Sequence, residues 1–439
     1  MQKLSMIIPN HIQKIMDELS LNGYEVYIVG GAVRDSIMKV PVHDYDLSTN
    51  ATIQEMQEVF KDYVIINNNG LKHSTITLRY NHENIEISSF KVDDGEEESI
   101  NTDLSHRDFT INALAYNSQV GLVDPFLGLS DIEKGIIRTV GKASDRFTED
   151  PLRILRAIRF LGKYNFKITA ETKEEMFNLM SLLDNISKER IKTELEGIMV
   201  SDNIREILIE YKSIFGQIIP ELILTFDFNQ NHRCHVHDVY THIAYVVGYT
   251  KPDFRLRMAA LFHDIAKPQT YTEILKDGVI QGRFLTHPDV GSLIAQSIMK
   301  RYRFSNDEIT EIKYLIEKHD GLLPSTKKAV RKVLAQAPNQ SYDVFEKLID
   351  LKNADRSDHL YLDSVKVDEL LQIAKAIIEE NECLKVTDLN INGHDLMKLG
   401  LSGKSIKETL NHLLYKVINE ELDNEKNALL EEVKNSVMN

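Results

Sequence analysis

The chain has 439 residues, which is more than one hydrophobic core usually serves, so its length predicts two to four domains. Its 42% hydrophobic and 27% charged residues are ordinary for a soluble globular protein, and no apolar run is long enough to cross a membrane. The net charge of −15 argues against broad coating of nucleic acid, although it permits a local basic track.

The cysteines and the N-terminal segment bear on the cellular compartment. Cys234 and Cys383 have no metal-binding spacing and suggest no disulfide framework. The first residues lack the long apolar segment of a secretion signal. These features predict a cytoplasmic protein in a reducing environment.

The N-terminal pattern begins with a helix and a buried strand. Apolar residues at helical spacing predict a helix over residues 9–22, and Val26–Val29 reads as a strand. The strand runs into Gly30-Gly31, where a backbone without side chains allows a phosphate to approach closely. A short helical pattern with Arg34 and Asp35 follows.

Two carboxylates with i, i+2 spacing come next, at Asp44 and Asp46. On a strand they would point to the same face and repel each other unless a cation lies between them. Mg²⁺ is the usual cation where carboxylates meet substrate phosphates. A carboxylate pair alone is weak evidence, but the order strand, glycine pair, helix, carboxylate pair is much more specific.

Strand signals alternate with helical ones up to about residue 140 and then fade. Helical patterns dominate from Pro151 onwards, and most histidines lie between residues 238 and 360. The pattern predicts an α+β head with a mixed sheet, followed by helical domains. The predicted boundaries are 1–140 for the head, 141–215 for a helical neck, 216–360 for a histidine-rich domain and 361–439 for a C-terminal helical region.

Five motifs in order carry a family resemblance. They are VGGAVRDS…HDYDLST, NGLKHSTITL…IEISSF, HRDFTINALA, DPFLGLSDIEKGIIRTVG and EDPLRILRAIRF. Over residues 20–200 they resemble the class II tRNA nucleotidyltransferases, the CCA-adding enzymes of the nucleotidyltransferase and poly(A) polymerase superfamily. The segment Asp388–Leu396 is similar to the C-terminal motif of that family.

The resemblance implies addition of CCA to tRNA 3′ ends from CTP and ATP, with Mg²⁺ at Asp44 and Asp46. Glu86 is either a third carboxylate or an outward-facing strand residue. The resemblance also implies that Gly30, Gly31 and Arg34 cradle the triphosphate, although Arg34 and Asp35 could equally form a structural ion pair.

The remaining nucleotide-binding candidates lie further along the chain. The resemblance places Arg107, Asp108 and Asn112 against the sugar and phosphates, where a buried Asp–Arg pair is the structural alternative. The resemblance also implies that Asp150 and Arg153 bind the Watson–Crick edge of CTP or ATP. Arg donates hydrogen bonds to the base, and Asp accepts one from the amino group that C and A share. Asp150 before Pro151 would also serve as a helix N-cap.

Residues 138–167 hold an excess of basic side chains that could follow an RNA backbone. The basic residues are Arg138, Lys142, Arg146, Arg153, Arg156, Arg159, Lys163 and Lys167, against Asp145, Glu149 and Asp150. A solvated helix face explains some of them equally well. Arg156 and Arg159 are also nucleotide-binding candidates.

Two positions depart from the family pattern. His106 stands where the family usually has an arginine, so one phosphate-facing charge is missing or depends on pH. The segment between Phe90 and Asp103 is short, as in enzymes that add only CC. CC-only addition is therefore an alternative to full CCA addition.

The segment Leu261–Pro268 resembles the HD superfamily of metal-dependent phosphohydrolases. The matching set is His242, His263, Asp264 and Asp355, with His287 and His319 as further ligands or phosphate-binding groups. Ligands of this kind suit Mn²⁺, Fe, Ni²⁺, Co²⁺ or Mg²⁺. His235 and His237 leave the first ligand open, and a metal-free histidine network is the structural alternative. A second functional hypothesis is thus a phosphohydrolase or cyclic phosphodiesterase whose N-terminal domain only holds RNA.

Overall fold

The computed structural model describes residues 6–42, 44–66, 74–93, 95–232, 236–276, 278–359 and 365–437. The chain forms two compact units, Met1–Ile186 and Ser187–Asn439. The finer division into four domains, with boundaries near residues 140, 215 and 360, stays a prediction.

The first unit contains a mixed sheet of seven strands in the order β3-β4-β5-β2-β1-β6-β7. The strands are β1 Val26–Val29, β2 Asp46–Thr49, β3 Val64–Ile66, β4 Thr75–Tyr80, β5 Glu83–Ser89, β6 Ala115–Asn117 and β7 Gly121–Val123. β2 and β5 run parallel, whereas the other neighbouring strands are antiparallel. This arrangement confirms the predicted α+β head.

Helices surround this sheet and continue beyond it in the first unit. They are α1 Asn10–Leu21, α2 Gly31–Ile37, α3 Ile53–Val59, α4 Ile100–Ser105, α5 Gly128–Lys134, α6 Ala143–Glu149, α7 Arg153–Tyr164 and α8 Ala170–Leu179. Between them, β8 Ile136–Ile137 and β9 Lys167–Ile168 form a small parallel pair. The helix predicted over residues 9–22 is confirmed, and its residues Ile12, Ile15, Met16 and Leu19 are buried.

The start of α7 differs from the prediction. Asp150 was expected to be the helix N-cap, but the helix begins at Arg153 and its N-cap position is Leu152. Pro151 and Leu152 form a turn instead, in which Asp150 Oδ1 accepts a hydrogen bond from the Leu152 amide at 3.2 Å. Asp150 therefore stabilises the turn before the helix.

The second unit is mostly helical. Its helices are α9 Lys188–Met199, α10 Ile204–Glu210, α11 Lys212–Ile218, α12 Val239–Tyr249, α13 Phe254–Phe262, α14 Lys267–Thr270, α15 His287–Arg301, α16 Asn306–Lys318, α17 Lys327–Gln336, α18 Tyr342–Ser357, α19 Val367–Glu379, α20 Gly393–Lys398, α21 Lys404–Ile418 and α22 Lys426–Val437. An antiparallel hairpin of β10 Thr272–Lys276 and β11 Val279–Arg283 interrupts them, and the all-helical prediction missed it. Within the described ranges, no helix is long and apolar enough to cross a membrane.

Candidate active site and a histidine–carboxylate cluster

The strand register brings two candidate carboxylates together in the first unit. Asp46, the first residue of β2, pairs with Val29 on β1 and with Glu86 on β5. Val29 directly precedes Gly30 and Gly31, so the carboxylate and the glycine turn are neighbours. Motif order predicted the proximity of Asp46 to the glycines, whereas the proximity of Glu86 follows from the β2–β5 pairing.

The charges of these carboxylates act on one another. Asp46 reaches solvent, yet desolvation by the surrounding protein is the largest cause that raises its pKa. Glu86 and Asp44 raise the pKa of Asp46 further, and Arg107 lowers it. A crowded set of oxygen ligands of this kind is stabilised by a bound hard cation.

The turn at Gly30 packs directly against Arg107. Gly30 has φ 67° and ψ −123°, and a Cβ atom added there would lie 2.9 Å from Arg107 Nη1. Among the described residues, Arg107 Nε and Ser48 Oγ are buried without a hydrogen-bond partner. Ser48 follows Asp46 by two residues and shares its face of β2. Orphaned polar atoms beside the carboxylates fit a site that binds a polar ligand and a metal ion.

Four predicted site residues form one hydrogen-bonded chain. Arg34 Nη1 donates to Asn112 Oδ1, and Asn112 Nδ2 donates to Asp108 Oδ1 at 2.9 Å. Asp108 Oδ2 then lies 2.7 Å from Arg156 Nη2 on α7. Burial raises the pKa of Asp108, but Arg156, Asn112 and the Phe109 amide more than offset it, and the pKa lies below its usual value. An Asp–Arg pair is present here, but it joins Asp108 to Arg156, whereas Arg107 Nη2 lies 3.2 Å from Asp103 Oδ2.

Arg34 lies between a carboxylate and two aromatic rings. Its Nε donates to Asp35 Oδ1 at 2.8 Å, and its guanidinium carbon lies 4.8 Å from the Tyr164 ring centre and 5.3 Å from that of Phe160. The Tyr164 hydroxyl also donates to Asp35 Oδ1, at 3.0 Å. The structural ion pair of Arg34 and Asp35 is therefore present, and phosphate binding by Arg34 stays a prediction.

Arg153 is held in place by groups at the α6–α7 junction. Its Nη1 donates to Glu149 Oε2 at 2.6 Å and to the Arg146 carbonyl at 3.2 Å, and its Nη2 donates to the His106 carbonyl at 2.9 Å. Glu149 also binds Lys91 Nζ at 2.5 Å. Burial raises the pKa of Glu149, but its bonds to Lys91 and Arg153 lower it to about 2 overall.

His106 faces the acidic segment that precedes α4. Its Nε2 lies 2.9 Å from Glu96 Oε2, and its Nδ1 lies 3.9 Å from Asp93 Oδ2. Beside it, a cavity of about 450 Å³ is lined by Ser88, Lys91 and Arg107 among others. The ring that replaces the usual arginine therefore contacts this loop.

The second unit contains a buried cluster of the predicted histidines and acids. His242 Nε2 lies 3.3 Å from His263 Nε2, 3.3 Å from Asp264 Oδ2 and 3.1 Å from Asp355 Oδ1. His263 Nε2 lies 3.2 Å from Asp264 Oδ2 and 3.8 Å from Asp355 Oδ1. Both histidine Nε2 atoms therefore lie within 3.8 Å of both carboxylates.

His287 and His319 lie on the other side of the Asp264 carboxylate. His287 Nε2 is 3.3 Å from Asp264 Oδ1 and 3.2 Å from His319 Nε2. Lys267 Nζ contacts Asp264 Oδ2 at 2.6 Å. All six predicted ligands are therefore brought together in one buried cluster.

Sequence reasoning missed two members of this cluster. His242 Nδ1 lies 2.8 Å from Asp358 Oδ2, and the His242 and His359 rings stack with centres 5.1 Å apart. Both follow Asp355 at spacings of three and four, which could have indicated them, and in the structure Asp358 is the C-cap of α18 and His359 lies just beyond it. Burial lowers the pKa of His242, but bonds to Asp264, Asp355 and Asp358 raise it to about 10 overall.

His235 and His237 are the other candidates for the first metal ligand. His237 stacks on Tyr245, and its Nε2 lies 3.7 Å from Asp358 Oδ1. His235 and Cys234 lie outside the described residues. Among the described histidines near the start of α12, His242 is the one that faces Asp264 and Asp355.

Three sequence families match this chain. The poly A polymerase head domain matches residues 26–138, the RNA and SrmB-binding site of polymerase A matches residues 165–223, and tRNA nucleotidyltransferase domain 2 matches residues 284–433. The first match contains the glycine turn, the carboxylates and the Arg107–Asn112 segment.

Curated relatives include CCA-adding enzymes of lactobacilli and staphylococci. The enzyme of Lactobacillus johnsonii is 39% identical over 191 residues, which cover 41% of this chain and 47% of that enzyme. The enzyme of Staphylococcus aureus strain Mu3 is 37% identical over 227 residues, covering 49% of this chain and 56% of that enzyme. The chain thus spans about half the length of the curated relatives it matches.

Solved structures match nearly the whole chain. The Bacillus stearothermophilus CCA-adding enzyme in complex with CTP has a TM-score of 0.73 and 22% identity, covering 98% of this chain and 99% of that one. The Thermotoga maritima CCA-adding enzyme complexed with tRNA has a TM-score of 0.59 and 21% identity, covering 99% and 97%. These likenesses show that the chain has the fold of the solved CCA-adding enzymes.

The nucleotidyltransferase head fold, which the first family model matches, implies a divalent metal ion. In this chain, the crowded carboxylates at Asp46 and the orphaned polar atoms beside them fit such an ion. The family matches do not test the individual site residues, which therefore stay predictions.

Proposed function

We propose that the chain is a cytoplasmic enzyme that adds CCA to the 3′ end of tRNA from CTP and ATP. In this proposal, Asp44 and Asp46 bind the Mg²⁺ ion. The observation that carries this proposal is the placement of Asp46 beside Gly30, Glu86 and Arg107. It joins metal-binding oxygens, a glycine turn and a cation at one point, as nucleotidyl transfer requires. Bound Mg²⁺ would assist attack by the tRNA hydroxyl and neutralise the departing pyrophosphate.

The neighbouring residues would bind and orient the triphosphate. Gly30 and Gly31 allow close approach of the backbone, and Arg34 and Arg107 supply positive charge. Asn112 and Asp108 hold Arg34 through the chain that ends at Arg156, so these residues would act by positioning. Arg156 and Arg159, with the basic residues of α7, would also contact the tRNA backbone.

Asp150 and Arg153 would select the base. The bonds to Glu149, Arg146 and His106 account for three of the five N–H groups of Arg153. The remaining guanidinium donors could meet base acceptors while the fixed bonds keep the side chain in one orientation. Glu149 is therefore a positioning residue for base selection.

The test incubates the full chain with tRNAs that end before the first C, after C and after CC, with each nucleotide in turn. We expect two additions of C and one of A, and the double variant Asp44→Ala/Asp46→Ala should lose at least about 1000-fold in rate, or ~4 kcal/mol of transition-state stabilisation. Asp62→Ala, at an exposed acid of the same unit, is the matched control.

Two results would change this assignment. Incorporation that persists in the double variant would exclude Asp44 and Asp46 as the catalytic carboxylates. If the chain adds C twice but no A to the CC-ended tRNA, then the short segment after Phe90 defines a CC-adding enzyme.

A second candidate function is metal-dependent hydrolysis of phosphate esters in the second unit. The cluster of His242, His263, Asp264 and Asp355 favours it, because both histidine Nε2 atoms lie within 3.8 Å of both carboxylates. Imidazole and carboxylate ligands suit Mn²⁺, Ni²⁺, Fe, Co²⁺ or Mg²⁺. A terminal phosphate or 2′,3′-cyclic phosphate on tRNA would be a substrate consistent with end repair.

This candidate is tested by phosphate release from such tRNA ends with added Mn²⁺ or Ni²⁺. We expect release in the wild-type chain and its loss in His263→Ala, while nucleotide addition continues. Release that is equal in His263→Ala would show that the cluster is not the hydrolytic site.

A further inference from the structure

Tyr164, the last residue of α7, reaches the ion pair that Arg34 and Asp35 form on α2. Arg34 Nε and Nη2 each lie 2.8 Å from Asp35 Oδ1, and the Tyr164 hydroxyl donates to the same oxygen at 3.0 Å. Three donors therefore converge on one carboxylate oxygen. The side chains of Arg34 and Asp35 are only 6% and 14% exposed, so water weakens these bonds little.

The aromatic ring of Tyr164 also contacts the guanidinium of Arg34. The guanidinium carbon lies 4.8 Å from the centre of the Tyr164 ring, and a cation over an aromatic face is attracted to it. The Phe160 ring stacks on Tyr164 with centres 6.1 Å apart and thereby supports this ring. Tyr164 holds Arg34 twice, directly through its ring and through the bond of its hydroxyl to Asp35.

The hydroxyl of Tyr164 is a fixed donor. Burial raises the pKa of Tyr164, and the nearby charge of Asp35 raises it further against the opposite effect of Arg34. A phenol has one O–H group and a carboxylate oxygen accepts, so the direction of the bond to Asp35 is set.

The opposite end of the Arg34 guanidinium is also tied to α7. Its Nη1 donates to Asn112, and the chain of bonds continues through Asp108 to Arg156. Arg156 and Tyr164 lie about two turns apart on the same helix. One helix therefore supports Arg34 from both sides, through Arg156 and through Tyr164.

The remaining donors of Arg34 lie at the glycine turn. Its bonds to Asp35 and Asn112 account for three of its five N–H groups. A Cβ atom added at Gly31 would lie 3.5 Å from Arg34 Nη2, so the guanidinium borders the turn where the triphosphate is proposed to bind. Asp35 would repel a phosphate at this place, and the three donors on its oxygen offset that charge.

We propose that Tyr164 is a positioning residue for the triphosphate of the incoming nucleotide and acts through Asp35 and Arg34. This inference rests on the proposed nucleotidyl transfer and adds a residue to its site. A guanidinium that is already fixed in one orientation loses less freedom when it binds phosphate. CTP and ATP carry the same triphosphate, so the contribution of Tyr164 should be equal for both nucleotides.

The central experiment measures the full chain and its Tyr164→Phe variant. The variant should raise KM for CTP and for ATP about 3- to 10-fold with little change in kcat, because it loses one hydrogen bond that orients Arg34 in the free and bound enzyme. The Kd of inorganic tripolyphosphate, measured by calorimetry, should rise by the same factor. The preference for CTP over UTP should stay as in the wild type, since Arg153 keeps its contacts. Tyr164→Leu, which also lacks the ring, should have a larger effect.

A double variant tests whether Tyr164 acts through Arg34. Arg34→Ala alone should raise KM for CTP more than Tyr164→Phe does. Adding Tyr164→Phe to Arg34→Ala should change KM little further, because the guanidinium that Tyr164 positions is gone. Effects of the two substitutions that multiply would overturn the route through Arg34.

Tyr63→Phe is the matched control. The Tyr63 hydroxyl also donates to a carboxylate of the first unit, that of Glu18, and Tyr63 has no part in the proposed site. This variant should leave KM for CTP and the Kd of tripolyphosphate as in the wild type. Circular dichroism verifies that each variant retains the fold.

Two outcomes would overturn the inference. An unchanged Kd of tripolyphosphate in folded Tyr164→Phe would show that Tyr164 does not position a phosphate-binding group. A parallel loss of the preference for CTP over UTP would show that Tyr164 supports α7 in general. If the wild-type chain incorporates no nucleotide, the proposed function fails, and the tripolyphosphate affinities of the two proteins still decide the role of Tyr164.

Discussion

Gly30 shows how one residue links backbone geometry to the candidate active site. Its φ of 67° with ψ of −123° lies in a region that residues with a Cβ atom rarely occupy. The missing side chain also leaves room for the Arg107 guanidinium. The sequence indicated a close approach of backbone to phosphate, and the structure adds that Arg107 already fills part of that space.

Gly30→Ala should therefore lower the free energy of unfolding by about 1–3 kcal/mol and raise KM for CTP, because the new methyl group displaces Arg107. Gly31→Ala is the matched control for stability alone, since its Cβ atom would lie 3.5 Å from Arg34 Nη2, an ordinary contact distance. Urea unfolding and steady-state kinetics of the two variants provide the comparison. Equal stability of both would show that the Gly30 conformation is not strained by a side chain.

At the scale of elements, the α6–α7 junction shows which features the apolar periodicity of the sequence predicted and which it could not predict. The apolar spacing after Pro151 predicted a helix, and α7 buries Ile154, Leu155, Ile158 and Leu161. The contacts of Arg153 were not predictable, because its partners include the His106 carbonyl, 47 residues earlier. Glu149 belongs to a motif recognised in the sequence, but its salt bridges to both Lys91 and Arg153 could not be predicted from that motif.

The stability from Glu149 should depend on pH. The pKa of Glu149 is about 2 in the folded chain against an ordinary glutamate value of 4.5, so the unfolded chain binds more protons between these two pH values. The contribution is fully present above pH 4.5 and is lost as the pH falls towards 2. Allowing for partial exposure, Glu149→Gln should cost about 1–2 kcal/mol at pH 7 and progressively less below pH 4.5.

Urea unfolding of both proteins between pH 3 and pH 7 measures this difference. Glu58→Gln is the control, because Glu58 forms a surface pair with Lys61 and its side chain is 80% exposed. We expect a change within about 0.5 kcal/mol for it at every pH. A pH-independent effect of Glu149→Gln would contradict the charge-based explanation.

At the scale of the whole molecule, the two compact units carry the two candidate functions separately. The carboxylates, the glycine turn and the residues proposed to select the base lie in Met1–Ile186, and the histidine cluster lies in Ser187–Asn439. Each unit also has hydrophobic clusters of its own, such as Tyr27 with Leu104 in the first and Phe345 with Ile349 in the second. Separate cores predict separate unfolding equilibria.

We therefore expect two thermal transitions with different ligand dependence. CTP with Mg²⁺ should stabilise the first unit and Mn²⁺ alone the second, each by about 2.7 kcal/mol at a ligand concentration 100 times its Kd. Differential scanning calorimetry of the full chain measures both shifts. The Asp44→Ala/Asp46→Ala variant should lose the CTP–Mg²⁺ response and keep the Mn²⁺ response. A single transition that both ligands shift equally would contradict separate units.

The sequence by itself determined the fold class and the candidate chemistry. Motif order placed the glycine turn before Asp44 and Asp46, and helical spacing predicted α1 and α7, because these signals arise between residues close together in the chain. It also supplied the six ligand candidates of the second unit, through the resemblance of that region.

Only the tertiary structure decided which distant residues meet. It paired Asp46 with Glu86, joined Asp108 to Arg156 across 48 residues, turned His106 towards the loop at Glu96, and placed Asp264 between two histidine pairs. Such contacts depend on strand order and helix packing, which bring together residues that no local pattern connects. The motifs of the candidate sites therefore lie in short segments of the sequence, whereas the geometry of these sites depends on contacts between distant segments.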